Sequence, residues 1–346
     1  MIYVFTSAAL NYLGKVRTLL TSVGEFLPEA TFHFALAERR AEGCQVPELP
    51  GEQIIYASDL PIGRDPQRLF GHSIVELSTA MKAEVALRLL RRRDCELVLY
   101  FDPDIVLFSP LEDLVETARR SSIALTPHLL EPEIEPKAIV DNEICALRHG
   151  AFNLGFLGLR PTPEGLRFAE WWADRTARFC RADTASGLFT DQKWIDLAPG
   201  FFEELAILRN PRFNVAPWNL SRRCVTGDFD AGFRVDGKPL GFYHFTGFDS
   251  GAHEMVVGAY APDNQALRML VQWYVRRTAE LSVPGPPSWS YGTYADGTPI
   301  ESAHRLVYRE RTDLQAAFPD PYSTEDGGVL RWMQTSGPVQ YPKLLW

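Results

Sequence analysis

Two aspartates, one residue apart, directly follow an apolar run and could bind a metal ion. Residues 96–101 have the pattern of a buried strand, and Asp102, Pro103 and Asp104 come next. Two carboxylates that turn toward one hard cation form a suitable site for Mg²⁺ or Mn²⁺ on a diphosphate. Asp-Pro-Asp is also a good turn sequence, in which Asp104 would only cap backbone amides. The triplet alone leaves both interpretations open.

A second enzyme class uses a similar triplet. In haloacid-dehalogenase-type phosphatases an apolar strand also runs into Asp-x-Asp, where the first aspartate is the nucleophile and the second is the general acid. In those proteins the motif usually lies near the N-terminus, whereas 101 residues precede Asp102 here. The phosphatase is therefore the weaker alternative.

The elements around the triplet alternate between strands and helices. Strands are predicted at residues 2–5, 31–36, 53–56, 96–101, 153–159 and 240–245. Apolar residues at helical spacing predict helices at residues 13–27, 74–89, 164–179 and 267–274. This alternation predicts an α/β fold with a mainly parallel sheet flanked by helices. In such sheets ligands bind beyond the carboxyl ends of the strands, which is where residues 101–109 lie.

Three further predictions concern the parts between and after these elements. Ser109, Pro110 and Glu112 have the spacing of a capping box that begins a helix. Residues 127–150 contain prolines and glutamates with little periodicity, which predicts a long surface loop that could contact a substrate. Prolines from residue 284 onward predict a boundary between a main domain, 1–282, and a C-terminal extension, 283–346.

Charge and composition exclude several functions. The chain has 346 residues, 46% of them hydrophobic, and a net charge of −9, which argues against a general electrostatic grip on nucleic acid or an anionic bilayer. No apolar run approaches the ~18 residues that span a bilayer, and residues 1–5 do not have the pattern of a signal peptide. We therefore expect a cytoplasmic protein, with peripheral membrane association left open. Five widely spaced cysteines without C-x-x-C predict reduced thiols.

The motifs and their order resemble bacterial glycosyltransferases of the GT-A fold that are related to glycosyltransferase family 8. The similarity is centred on residues 78–114, which contain Lys82, Asp102-Pro103-Asp104 and Ser109-Pro110-Leu111. It extends over about residues 1–280. The other matching segments are Thr6-Ser7 with Asn11-Tyr12-Leu13, Phe152-Asn153-Leu154-Gly155, Thr190-Asp191-Gln192-Lys193-Trp194, Asn214-Val215-Ala216-Pro217-Trp218-Asn219 and His244-Phe245-Thr246-Gly247-Phe248.

The resemblance implies a metal site with three protein ligands. Asp102 and Asp104 would coordinate a divalent ion on the donor diphosphate, and His244 would complete the site. Mn²⁺ is the expected ion, with Mg²⁺ as the alternative. The turn at Thr246 and Gly247 would let backbone amides approach phosphate. An isolated histidine is more often an ordinary hydrogen-bonded residue, so the position before this turn is what favours ligation.

Five more residues receive binding roles from the resemblance. Lys82 would reach a donor phosphate or an aspartate, although a lysine at a helix rim is usually only solvated. Thr6 and Ser7 would contact the nucleoside, unless they form a plain turn after the first strand. Asn153 could bind sugar hydroxyls, and Gly155 would let a ligand or another backbone come close. Packing in a buried strand is the alternative for both.

Asp191 and Gln192 are the expected contacts of the transferred sugar. The alternative is structural, because Thr190 is a good N-cap and Asp191 suits the first turn of a helix. Asn214, Trp218 and Asn219 could line the sugar or acceptor pocket, where Trp218 would stack on a pyranose face. Many relatives carry an aspartate near the nucleoside at the end of the second strand, where this chain has Glu38, so recognition of the base is open.

By resemblance, then, the protein is a metal-dependent hexosyltransferase with Asp191, Gln192 and Lys82 at the reacting centre. It would move a sugar from a nucleotide sugar, commonly a UDP-sugar, to a hydroxyl of a saccharide or glycolipid in polysaccharide biosynthesis, with retention of configuration. A non-catalytic module that binds a sugar nucleotide or scaffolds polysaccharide assembly is the alternative. A cluster of like charges argues against a pure scaffold, because such a cluster is costly to maintain.

Overall fold

The computed structural model describes residues 1–40, 46, 48–283 and 288–344. Its strands are β1 Ile2–Ala8, β2 Ala30–Leu36, β3 Ile54–Tyr56, β4 Leu97–Phe101, β5 Ile105–Leu107, β6 Ile123–Pro127, β7 Phe152–Leu159, β8 Arg181–Asp183, β9 Leu188–Thr190, β10 Leu205–Ile207, β11 Val225–Thr226, β12 Arg234–Val235, β13 Lys238–Pro239 and β14 Phe242–His244. Seven of them form the central sheet, in the order β10-β6-β7-β4-β1-β2-β3. Only β7 runs antiparallel to its neighbours, β4 and β6. The predicted α/β fold with a mainly parallel sheet is confirmed.

Helices cover both faces of this sheet. They are α1 Leu13–Phe26, α2 Pro66–Gly71, α3 Ile74–Leu90, α4 Glu112–Arg119, α5 Pro136–Ala138, α6 Cys145–His149, α7 Pro163–Phe179, α8 Ala198–Phe201, α9 Ala252–Tyr260, α10 Gln265–Leu281, α11 Ser302–Glu310, α12 Thr312–Ala317, α13 Gly328–Thr335 and α14 Gly337–Gln340. Side chains of β1 alternate between the two faces, as strand geometry requires. Val4 packs in the core beneath α1, whereas Phe5 packs in the core beneath α3 and α7.

A small second sheet connects two distant parts of the chain. Strand β5 pairs antiparallel with β14, which places His244 opposite Ile105. The carbonyl of Asp104 accepts a hydrogen bond from the amide of Phe245 at 2.8 Å. This pairing brings the late strand to the aspartate triplet, although about 140 residues separate the two in sequence.

Two local predictions were wrong. The predicted loop at residues 127–150 contains α5, a π-helical segment Ile139–Ile144 and α6. The capping box is not formed, because α4 begins at Glu112 after Leu111 and has no side-chain cap. Ser109 instead donates to the carbonyl of Leu240 at 2.6 Å and accepts a hydrogen bond from Arg212. It therefore holds α4 near β14 rather than capping the helix.

The C-terminal residues pack into the main core. Tyr291, Tyr294, Val307 and Tyr308 belong to the same buried cluster as the side chains beneath α3. Residues 284–287, whose prolines suggested a boundary, lie outside the described residues, and the division at 282/283 stays a prediction. We call residues 288–344 the extension.

Two further predictions can be compared with the described residues. Cys95, Cys145, Cys180 and Cys224 are free thiols, and Cys44 lies outside the described part of the chain. Among the helices that the structure describes, none has the length and apolar character needed to cross a bilayer.

Candidate active site

Asp102, Asp104 and His244 converge at the carboxyl end of β4. One potential ligand atom from each lies within 4.8 Å of the others. The Nε2 atom of His244 is 3.0 Å from Oδ1 of Asp104 and 3.7 Å from Oδ2 of Asp102. The imidazole is buried, whereas both carboxylates are partly exposed. Two carboxylates and one imidazole grouped in this way could hold a cation at their exposed side.

The charges of this cluster influence one another. Burial alone would raise the pKa of Asp104, but the nearby His244 lowers it below its ordinary value. Burial alone would lower the pKa of His244, but Asp104 and Asp102 raise it. The imidazole therefore favours the ionised form of Asp104, and the two carboxylates favour the protonated form of His244. A metal ion held by these residues would require the neutral form of His244, because only the neutral imidazole is a ligand.

The His244 ring fits only because Gly155 has no side chain. A Cβ atom at Gly155 would lie 2.6 Å from both Cε1 and Nδ1 of the imidazole. The Nδ1 atom faces Oδ1 of Asn214 at 3.4 Å, and Trp218 packs edge-on against the ring at 5.3 Å between centroids. Gly155 was predicted to admit a ligand or another backbone. The structure fills that space with the imidazole instead.

Lys82 connects the cluster of Asp102, Asp104 and His244 to a third carboxylate. Its Nζ atom lies 3.0 Å from Oδ1 of Asp102 and 3.3 Å from Oδ2 of Asp191, and it sits over the Tyr100 ring. The Tyr100 hydroxyl donates to Asp102 as well. Burial raises the pKa of Asp191, Lys82 opposes this effect and Asp102 adds to it. Lys82 thus reaches an aspartate, as the sequence suggested, and bridges two of them.

The backbone before Asp191 is strained. Thr190 has φ of +46°, a left-handed conformation that is rare for a β-branched residue. Its hydroxyl donates to Oδ1 of Asp191 at 3.1 Å. Thr190 ends β9, and the 3-10 turn that follows begins at Lys193 without a side-chain cap. The capping alternative for Asp191 therefore does not apply, and the strain instead turns its carboxylate toward Lys82.

The side chains of Gln192 and Asn153 form hydrogen bonds with other groups of the protein. Gln192 accepts from the amide of Leu154 at 2.9 Å and donates to the carbonyl of His149 at 3.0 Å. Asn153 donates to Gln192, and its Oδ1 accepts from the amide of Gly155 and from Asn214. Both residues line the cleft, but these bonds show that they also fix β7 against its neighbours.

Two adjoining cavities form one cleft above these residues. The larger has a volume of about 800 Å³ and the smaller about 170 Å³, and they share Lys82, Asp102 and Asp104. The predicted residues that line the larger cavity are Lys82, Asp102, Asp104, Asn153, Asp191, Gln192, His244 and Gly247. Trp218 lines it too. Gly155 is absent from both linings because the His244 ring covers it.

Thr6 and Ser7 lie within β1 rather than after it, because that strand runs to Ala8. Ser7 lines the smaller cavity and donates to the carbonyl of Ser78 at 2.6 Å. Thr6 points to the interior and lines neither cavity. Of the two predicted nucleoside contacts, the structure brings only Ser7 to the cleft.

Sequence reasoning named Tyr12 only as part of a matching segment, gave it no role, and missed other residues of the cleft. Tyr12 lines the smaller cavity, and its hydroxyl donates to Asp249 at 2.7 Å. Lys15 forms an ion pair with the same carboxylate. These contacts fasten the turn at Gly247, which has φ of +71°, to the start of α1. Tyr12 could have been found from its place after the first strand, but a bond across more than 230 residues leaves no local signal.

His128, Asn142, Cys145 and His149 also line the larger cavity. They come from the segment that was predicted as a loop, and the helical form of α6 places Cys145 and His149 on one side. Glu38, in contrast, lies away from both cavities. Its Oε2 accepts a hydrogen bond from the amide of Ser290 at 2.8 Å, so Glu38 holds the extension against the main domain.

Comparison with known proteins gives partial similarities. No protein-family model matches the sequence. "Uncharacterized protein YfnF" of Bacillus subtilis (strain 168) is 26% identical over 156 residues, which are 45% of this chain and 50% of that protein. "Uncharacterized protein YfnD" of the same organism is 29% identical over 157 residues, 45% of this chain and 48% of that protein. The chain spans about half the length of these curated relatives.

The chain is also similar to solved glycosyltransferase structures. One is the galactosyltransferase LgtC in complex with donor and acceptor sugar analogs, at 18% identity over 82% of this chain and 98% of that chain, with a TM-score of 0.47. Another is mouse xyloside xylosyltransferase 1 in its apo form, at 15% identity over 72% of this chain and 99% of that chain, with a TM-score of 0.42. Similarities of this size do not establish a shared activity.

Proposed function

We propose that this protein is a metal-dependent glycosyltransferase of the GT-A fold that moves a hexose from a nucleotide sugar to a hydroxyl of a saccharide or glycolipid. The observation that carries the proposal is the position of the Asp102, Asp104 and His244 cluster. It lies at the junction of a small cavity and a large one. In a nucleotide sugar the diphosphate lies between the nucleoside and the sugar. A cation that binds the diphosphate should therefore lie between a cavity for the nucleoside and a cavity for the sugar.

The residues present fit a divalent cation. Two carboxylates and one imidazole offer oxygen and nitrogen ligands, a mixture that suits Mn²⁺ better than Mg²⁺, which favours oxygen alone. Asp102, Asp104 and His244 would hold the ion. When bound, it would supply positive charge for a diphosphate leaving group.

The two cavities suggest how a donor would lie. Ser7 and Tyr12 line the smaller cavity, which we assign to the nucleoside, with uridine proposed on the sequence resemblance alone. The diphosphate would sit at the junction, near the turn at Gly247. The sugar would then enter the larger cavity, where Asp191 and Gln192 lie.

The protein's own charges support this use. Lys82 is nearly inaccessible to solvent and remains protonated beside two carboxylates, so its positive charge is already in place when negative charge develops on the leaving diphosphate. Asp191 is held by Thr190 and Lys82, so its carboxylate does not need to reorganise in order to orient the sugar. We propose retention of configuration at this site. The manganese ion, the UDP donor, the role in polysaccharide biosynthesis and the cytoplasmic location also stay predictions.

A donor screen tests the proposal. The protein is incubated with a panel of nucleotide sugars, and release of nucleoside diphosphate is measured with Mn²⁺, with Mg²⁺ and with EDTA. We expect release with at least one donor, loss of release in EDTA and recovery when Mn²⁺ is restored. Binding of nucleotide sugars without any release would favour the non-catalytic module. Release of inorganic phosphate in its place would favour the phosphatase.

A further inference from the structure

A second charged cavity, of about 450 Å³, adjoins the active-site cleft without being part of it. The two are separated by chain segments whose consecutive residues face opposite sides. His128 and Trp218 line the cleft, whereas Leu129 and Asn219 line this cavity. Its volume falls in the range of small-molecule sites, about 300 to 1,000 Å³. None of the residues assigned to the donor lines it.

Arg223 lies in this cavity without a counter-ion. Its side chain is almost fully buried, with 6% exposed. Its Nη1 atom donates to the carbonyls of Phe213 and Asn214 at 2.8 and 3.3 Å. Within residues 1–40, 46, 48–283 and 288–344 no carboxylate forms an ion pair with Arg223, and no protein acceptor is found for Nε or Nη2. Burial lowers the pKa of Arg223 to about 10, and Asp236 only partly opposes this effect.

Arg305 shows how a buried arginine is satisfied when its role is structural. It is equally buried and donates to the carbonyls of Phe70, His72 and Tyr291. It also stacks on Trp289. Two nitrogens of Arg305 thus donate hydrogen bonds within the protein. In Arg223 only Nη1 does so within the described residues, and the side chain lines a cavity. Donors that no protein group uses and that open onto a cavity are free to bind a ligand there.

The other charges of the cavity also favour an anion. Arg222 is paired with Glu131 at 2.9 Å, and Asp236 accepts from the amide of Cys224. Arg209 is exposed and has no ion pair in the described part of the chain. Three arginines and two carboxylates line the cavity, which leaves one excess positive charge in a protein of net charge −9.

We propose that this cavity binds a carboxylate or phosphate group through Arg223, with Arg209 as a second cation. The planar guanidinium matches either group with two parallel hydrogen bonds. The group belongs either to a free small anion or to a sugar acid. Neither source requires the transferase activity proposed above, so the site is a separate assignment.

Calorimetric titration of the full chain in EDTA tests this site, since EDTA prevents a metal ion from holding an anion in the cleft. Sodium phosphate and sodium glucuronate are titrated separately. We expect at least one to bind with a dissociation constant on the order of 1 mM. Arg223→Met should weaken that binding at least about tenfold, because it removes charge-assisted hydrogen bonds. Arg209→Gln should weaken it severalfold without changing the melting temperature, since its side chain is exposed.

Two further variants make the test independent of folding. Arg223→Lys keeps the positive charge but loses the planar guanidinium that donates two parallel hydrogen bonds. It should therefore bind the anion more weakly than the wild type does, and it remains informative if Arg223→Met is unstable. Arg93→Gln is the matched control, because Arg93 is exposed and precedes Arg223 by 130 residues in the sequence. This variant should bind the anion as the wild type does. Phosphate binding alone would identify a free anion, and glucuronate binding alone a sugar acid. Absence of binding, equal binding by all variants, or displacement by uridine diphosphate would overturn the proposal.

Discussion

The floor of the active-site cleft and the interface of the extension both bury ionisable side chains, but they satisfy them differently. At the interface, Arg305 donates to three backbone carbonyls, and Glu38 accepts from the backbone amides of Leu10 and Ser290. Every one of these hydrogen-bond partners is a backbone group. In the cleft, three carboxylates face only two basic groups. These five residues, the cleft cluster, are Lys82, Asp102, Asp104, Asp191 and His244.

This difference indicates what each region is for. A buried polar group that the backbone satisfies stabilises one conformation. A cluster with more acidic than basic groups carries unbalanced charge, which a bound cation can neutralise. Variants of the cleft cluster should therefore change activity more than stability, and variants of the interface should do the reverse. The predictions below test that separation, beginning with the largest effect.

Asp104→Asn should give the largest loss. The substitution preserves shape but removes one anionic ligand, so we expect metal-dependent turnover to fall about a thousandfold or more. The melting temperature should fall only slightly, because the lost attraction to His244 is partly offset by relief of the cost of burying a carboxylate. Release of nucleoside diphosphate over a range of Mn²⁺ concentrations measures the effect. Asp263→Asn, at an exposed position, is the control, and a fully active Asp104→Asn protein would remove the metal assignment.

Arg305→Met should show the opposite behaviour. It leaves three carbonyl groups without their donor, so we expect the free energy of unfolding to fall by about 3 kcal/mol. Metal affinity and turnover per folded molecule should be unchanged, because the interface is not part of the cleft. Urea denaturation and a metal titration of the same sample give both values. A loss of metal affinity with unchanged stability would contradict the separation of the two regions.

Gly155→Ala should weaken the cleft by displacing the His244 ring rather than by removing an ionisable group. The new Cβ would meet the His244 ring and Oδ1 of Asn153, each at 2.6 Å, and because β7 is buried these side chains must move. We expect metal affinity to fall about 10- to 100-fold, as when the support of a ligand is lost. Gly258→Ala on α9 is the matched control, since an added Cβ there meets nothing within 4 Å. Equal metal affinity in both variants would show that His244 is not a ligand.

The sequence predicted the elements better than the contacts between them. Strand and helix positions follow from local periodicity, so β4, α3 and the triplet at Asp102 could be placed. The approach of His244 could be expected only from the family resemblance, because the β5 and β14 pairing is not local. The conformation of Thr190 and the helical segment before Gly150 were missed. Both depend on tertiary packing, which overrides propensity.

Glu38 was the residue whose role the sequence left most open. Its place after β2 suggested a contact with the nucleoside, as in the resembling proteins. That expectation took no account of the extension, which begins about 250 residues later and supplies the amide of Ser290. A partner so distant in sequence leaves no pattern near Glu38. The structure therefore separates two roles that the sequence could not, and a substitution can test which one applies.

Glu38→Gln should have the smallest effect and should affect stability alone. Glutamine keeps one oxygen acceptor but loses the charge and the second oxygen, so one of the two backbone amides loses its acceptor. We expect the free energy of unfolding to fall by about 1 kcal/mol, the usual value of one such hydrogen bond. Nucleotide affinity in the presence of Mn²⁺ should be unchanged, because Glu38 lines neither cavity of the cleft.

Chemical denaturation and calorimetric titration with uridine diphosphate distinguish the two roles of Glu38. Glu52→Gln, at an exposed site, is the control and should change neither value. A tenfold loss of nucleotide affinity in Glu38→Gln with unchanged stability would show that this carboxylate contacts the nucleoside. It would also mean that the interface of the extension contributes to the cleft, because the amide of Ser290 would then hold a binding residue in place.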